Sequence, residues 1–286
     1  MSNQCRRRLT LAWLPVLLLL GQVGCARHTA PLSQEVRAGL GTVAVVPARF
    51  AAKTELQIPA KGGPAGTGRG AATGALKGMA IAAEAGRGCH GYDCAAVILL
   101  IPAGGIIGAL IGAIHGGVTA VPAVAVDGGL TELRSAVDEL DLQATLRDRV
   151  LRAAEAQTCH ALAVDIASGP GTLEQKLGYQ PLTADGIQTV LEISVLEFEL
   201  KGPWDVNPEL ALVMSVRARL VRTLDGALLH ERTLDHRSMK RRFTDWAADG
   251  GGPFRGEREA ALDLLAGQIV TETLLIQNGG SEACGG

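Results

Sequence analysis

Four side chains able to bind a metal or to crosslink fall within six residues, Cys89, His90, Asp93 and Cys94. Thiolate and imidazole are suitable zinc ligands, while two cysteines this close can equally pair as a disulfide, and the redox compartment favours one fate over the other. The other candidate chemistries fall away one by one. Gly63 to Gly70 has the glycine content of a phosphate-binding loop, but it sets Arg69 and Gly70 where such a loop needs Lys for the phosphates and Ser or Thr for magnesium. The overlapping Gly66-Thr67-Gly68 start of a dinucleotide pattern is a coincidence of the same glycine richness. His230 and His236 share one face of an expected strand about 20 Å apart, too far to hold one ion, and read as surface residues. Glu197 and Glu199 alternate beside Lys201 and read as a solvated face. Lys240, Arg241 and Arg242, near Trp246, form a short basic patch that suits acidic headgroups, a glycan or simply water. No Gly-x-Ser-x-Gly elbow and no His-Glu-x-x-His helix occurs. No residue takes a catalytic role, so the chain reads as non-enzymatic, with no cofactor and no metal.

The N-terminal residues point to an exported compartment. Arg6, Arg7 and Arg8 precede an uncharged run from Leu9 to Leu20 that ends in small residues before Cys25, the pattern of an export signal over residues 1–24. Its ending, Gly21-Gln22-Val23-Gly24-Cys25, resembles the lipobox of bacterial lipoproteins, with Gln22 where that family usually has Leu. The resemblance implies a lipid on Cys25, and Ala26 after it implies sorting to the outer membrane, facing the periplasm. The alternative is an ordinary cleaved signal and a buried free cysteine. Loss of residues 1–24 removes three arginines and no acids, leaving 24 basic against 29 acidic residues, or −5, a balance that does not invite nucleic acid. In an oxidising space the remaining cysteines, Cys89, Cys94, Cys159 and Cys284, allow three pairings, of which the simplest is Cys89 with Cys94 and Cys159 with Cys284.

The elements that must position these residues are organised around glycine. Gly66, Gly70, Gly74 and Gly78 recur every fourth residue, as do Gly104, Gly108, Gly112 and Gly116, on either side of the Cys89–Cys94 loop. Spacing of four lines small residues along one helical ridge and lets two backbones approach closely. Residues 62–128 therefore read as an inserted glycine-zipper hairpin. Its first arm carries Arg69, Lys77 and Glu84 and belongs in water or against protein. The second arm holds twenty uncharged residues from Ala95 to Ile114, enough to cross a hydrocarbon core of about 30 Å. A hairpin buried in protein would have the same composition, so both readings stand. A period of four kept through two segments argues against a low-complexity loop.

Around the insert lies an α/β (α+β) domain, a mixed sheet with C-terminal antiparallel strands flanked by helices. Residues 25–40 read as a tether and 41–61 as a first strand, Thr42 to Pro47, followed by a loop. Val121 to Gly129 reads as a linker, and 130–157 as one or two amphipathic helices marked by Leu133, Val137, Leu146 and Val150. His160 to Ile166 reads as a strand before a Gly- and Pro-rich loop. Leu191, Ile193 and Val195 alternate, then the phase shifts to Phe198 and Leu200, which places a bulge near Leu196. Leu210 to Leu220 alternates cleanly and pairs across an Asp225-Gly226 turn with a polar edge arm, Ala227 to Arg237. A connection from Phe243 to Phe254 leads to a helix from Glu257 to Ile276, which Gly279 and Gly280 stop, so the domain's remainder is 129–278 and its tail 279–286.

This order is similar to the periplasmic domain of the curli-secretion lipoprotein family and of the penicillin-binding-protein activator lipoproteins related to it. The resemblance is carried by Val43 to Pro47, the strands Val190 to Leu200 and Leu210 to Val221, and the helix Leu262 to Ile276. It implies an envelope role in assembly or transport. The hairpin would supply self-association or membrane contact, or else the sheet domain would act as a monomeric adaptor for another envelope protein.

Overall fold

The computed structural model describes residues 32–85, 94–158, 160–164 and 168–275. Its centre is a long hairpin, β4 (Thr189–Lys201) against β5 (Glu209–Arg222), extended by β6 (Leu228–Arg237) across the Asp225-Gly226 turn. Gly226 takes φ 70°, the left-handed conformation that turn requires. The register slips between Val195 and Glu197, so the bulge at Leu196 is present. On the other side of β4 run β1 (Val43–Pro47) and β2 (Lys53–Leu56), both parallel to it, with β3 (Leu162–Ala163) beside β1 and β7 (Arg241–Arg242) on β5. The result is a mixed α/β sheet in the order β3-β1-β4-β5-β6.

Helices cover one face. The helix α1 (Gln34–Ala38) precedes β1, and α2 (Gly62–Ala85) and α3 (Cys94–Thr119) form the hairpin. Next come α4 (Ala123–Asp138), α5 (Leu142–Gln157) and α6 (Phe243–Thr273). The apolar stripes of α4, α5 and α6 meet the inward residues of the sheet in one core, including Leu133, Leu146, Ile193, Met214, Leu262 and Ile269. Phe254 stands edge-on to Phe198 and to Trp246 at 5.8 and 6.3 Å, and Trp246 Nε1 donates to the Leu210 carbonyl at 3.0 Å. A 3₁₀ turn, Gln180–Asp185, covers a smaller cluster of Ala44, Val46, Ile187 and Val190 on the opposite face.

Several expectations are corrected. The loop from Arg49 to Lys61 contains β2, whose Lys-Thr-Glu-Leu sequence carries no apolar run but pairs with Glu197 to Leu200. The linker from Val121 is already helical at Ala123, and the strand from His160 narrows to two residues among those described. The Phe243 to Phe254 connection is helical at both ends, bent where Asp249, Gly250 and Gly251 take positive φ. The last helix ends at Thr273, before Ile276 and the two glycines, with the Leu274 N–H bonded to Val270. Arg37 of α1 caps that end, donating to the carbonyls of Thr271, Glu272 and Leu275 at 3.2, 3.0 and 2.5 Å, so a cation sits at the negative end of the helix dipole. The last part of the stretch read as a tether is therefore folded.

Between Pro47 and Lys53 no strand pairs with β4. Gln143 of α5 fills the gap, accepting from Val195 N at 2.8 Å and donating to the Val195 and Phe50 carbonyls at 2.9 and 3.1 Å. One buried amide thus takes the place of a missing strand residue. Replacing Gln143 with Leu should cost about 1–3 kcal/mol for each buried backbone group left unpaired, read from urea unfolding with an unchanged slope. A loss below about 0.5 kcal/mol, the range of an inert surface substitution, would contradict this role.

Candidate functional site: the glycine hairpin

Seven glycines in α2 and six in α3 disfavour each helix by about 1 kcal/mol apiece relative to alanine. The two helices are held by each other. A methyl group built on Gly70 would fall on the Gly112 carbonyl oxygen and 2.9 Å from Gly116 Cα, and one on Gly74 would fall on Gly108 O and 3.0 Å from Gly112 Cα. The converse holds for Gly108, Gly112 and Gly116, which face Gly74, Gly70 and Gly66, while Gly78 presents its Cα to Gly108. These are backbone-to-backbone contacts with no room for a side chain. Gly104 lies within α3, but its packing lies outside the described residues.

At its foot the hairpin closes through a bridge between Lys61 and Val121, the Gly62 N–H bonded to Val121 O at 2.9 Å, and a Lys61–Asp127 ion pair. The turn between β4 and β5 then lies against α2. Arg69 stacks over Trp204 at 4.5 Å and donates to the carbonyls of Ile58 and Asp205 at 3.1 and 3.4 Å, and Lys77 stands 3.5 Å from the Asp205 carboxylate. A cavity of about 280 Å³ opens there between the ridges, walled by Ile81, Ile111 and Val206 with His115 at its rim.

Because glycine fills the contact, the large side chains of the hairpin point elsewhere. Ile106, Ile107, Leu110, Ile111, Ile114 and Val118 each keep 60% or more of their surface exposed, as do Leu76 and Ile81 on α2. Among the described residues nothing buries this flank. Among the described residues no helix is long and apolar enough to cross a membrane. The side chains from Ala95 to Ile101 fall outside the described residues, as do Cys25, Cys89, His90, Asp93, the side chain of Cys94, Cys159 and Cys284 with their lipid, metal or disulfide assignments.

The remaining candidates resolve into structure. Glu199 is buried, not solvated: Lys201 and Lys53 both bond its carboxylate, Lys53 at 2.5 Å, and hold its pKa below the ordinary carboxylate value. His230 is buried as well, its pKa pushed down mainly by that burial, because the face it shares with Arg232 and His236 turns toward α6. There Arg232 meets Glu272 at 3.0 Å and His236 lies 3.4 Å from Glu257. Arg241 stays exposed with its guanidinium 5.4 Å from the Trp246 ring, and Arg242 begins α6. No pattern in the sequence signals the most enclosed polar network. Glu192 accepts from Tyr179 and Arg219, each at 2.8 Å, burial drives the Tyr179 pKa far up, and Arg219 also faces Glu231 at 3.3 Å. With both Glu192 oxygens occupied, this network pins the 168–188 connection to the sheet. Only the pairing of β4, β5 and β6 brings these charges together.

Gly68 points into open space, unlike its neighbour Gly70. Gly68→Ala should therefore stabilise α2 by up to about 1 kcal/mol, whereas Gly70→Ala should open the hairpin. Hydrogen exchange of α2 and α3 amides will read the difference, with β4 and β5 protection unchanged in both variants. Equal behaviour of the two variants would contradict the backbone contact.

No protein-family model matches the chain, and no curated protein matches it by sequence. Among solved structures, the PelC dodecamer of Paraburkholderia phytofirmans aligns at 13% identity over 47% of this chain and 77% of that one, TM-score 0.30. Protein XCC0632 of Xanthomonas campestris aligns at 20% identity over 46% and 60%, TM-score 0.30. Lipoprotein GNA1162 of Neisseria meningitidis aligns at 14% identity over 81% and 99%, TM-score 0.24.

Proposed function

We propose that this chain is a non-enzymatic lipoprotein of the cell envelope, anchored by a lipid on Cys25 at the periplasmic face of the outer membrane, that works by assembly through its hairpin. The observation that carries this reading is the uncovered row of Ile, Leu and Val along α3, on a hairpin whose own packing is complete without them. An apolar stripe rigidly held in the open costs solubility unless something covers it. Disulfides between Cys89 and Cys94 and between Cys159 and Cys284 would fix the hairpin turn and the tail. A monomeric adaptor is the second reading. Its surface would be the outer edge of β2, unpaired among the described residues, beside a cleft of about 640 Å³ between Phe50 and Asp138.

Combining Cys25→Ser with exchange of residues 1–24 for a signal that is cleaved without lipidation separates the anchor from the hairpin. The variant should move from the membrane fraction to the soluble periplasmic fraction with its fold intact, because the lipid alone holds the chain to the bilayer. Full retention of the variant in carbonate-washed membranes would show instead that the hairpin inserts by itself.

A further inference from the structure

We infer that the α3 flank is covered by a second copy of this chain. The inference rests on the reading above, that the flank is a contact surface, and names its occupant. Three observations favour a copy over lipid. The first is extent: six large apolar side chains of α3, Ile106, Ile107, Leu110, Ile111, Ile114 and Val118, form one exposed row, where an ordinary monomer scatters such residues singly.

The second is depth. The stripe from Ile106 to Val118 lies on the half of α3 nearest its foot, opposite the part of α2 that carries Arg69 and Lys77. Those side chains are tied to Asp205 and Trp204, and Lys61 pairs with Asp127 just below. A bilayer crossed by the hairpin at this level would have to take in these ions with the stripe. A protein surface covers the stripe alone.

The third is position. Val43 of β1 pairs with Thr189 and Leu56 of β2 with Leu200, so the chain enters the sheet at one end of β4 and reaches the hairpin at the other, about 36 Å along. Leu32, where the described chain begins, thus leads into the entry side, and the flank lies at the far end. From Cys94 to Thr119 α3 bears no Asp, Glu, Lys or Arg, so nothing repels its copy in a self-complementary, two-fold contact. The groove between Ile81 and Ile111 can receive a side chain of the partner.

A benzophenone amino acid placed at Ile111 in the full-length lipidated chain, irradiated in its own membranes, tests this. The expected product has twice the mass of the chain and yields peptides of this chain only. The yield should fall at least about tenfold when Leu110→Glu and Ile114→Glu are added, as loss of central apolar anchors requires. A probe at Met239, also exposed, should give no such product. An adduct with phospholipid or with a different protein would overturn the second copy while leaving the contact surface standing. Absence of any adduct, or equal yield from Met239, would overturn both.

Discussion

One edge of β4 must find partners for thirteen residues of backbone, and the arrangement of the molecule follows from how that need is met. β1 serves Thr189 to Ile193, β2 serves Glu197 to Leu200, and the Gln143 amide serves the break between them, where the bulge at Leu196 changes the phase. Strands parallel to β4 on the same edge carry the chain steadily along it. By Leu56 it has reached the end remote from α1, and the hairpin departs from there.

The hairpin then reverses the usual division of labour between backbone and side chain. In most helix pairs large apolar residues make the contact and small ones fill in. Here Gly66, Gly70 and Gly74 meet Gly116, Gly112 and Gly108 through main-chain atoms, which frees the isoleucines and leucines of α3 to form an outer surface. The contact is intolerant of any added methyl group on its inner ridge. Its outer face is set by which residues are large, so the same spacing that closes the hairpin also builds the flank.

The sequence revealed the parts of the fold that rest on local pattern. The alternation from Leu210 to Leu220, the phase shift at Leu196 and the Asp225-Gly226 turn place β4, β5 and β6 without reference to distant residues. β2 was hidden because Lys53 to Leu56 pairs on the strength of its backbone, not of an apolar face. Glu199 was misread for the same reason: Lys53 arrives from β2 to bury it, and without β2 it looks solvated. His230 and His236 lie on the strand face their alternation gives, but whether that face meets water depends on α6. In the hairpin the period of four marks which residues align on a ridge. It is silent on whether the opposite flank meets the chain's own sheet, and only the position of the hairpin's foot answers that.

The central claim is that the α3 flank, complete in itself and open in the single chain, meets protein in the envelope. A spin label at Ile114→Cys in full-length protein in native membranes, with collisions to oxygen and to a water-soluble nickel chelate compared, measures this directly. Low accessibility to both reagents is the result expected of a protein-covered flank. High oxygen accessibility with low nickel accessibility would place the flank in lipid, and high nickel accessibility would leave it in water; either would contradict the account.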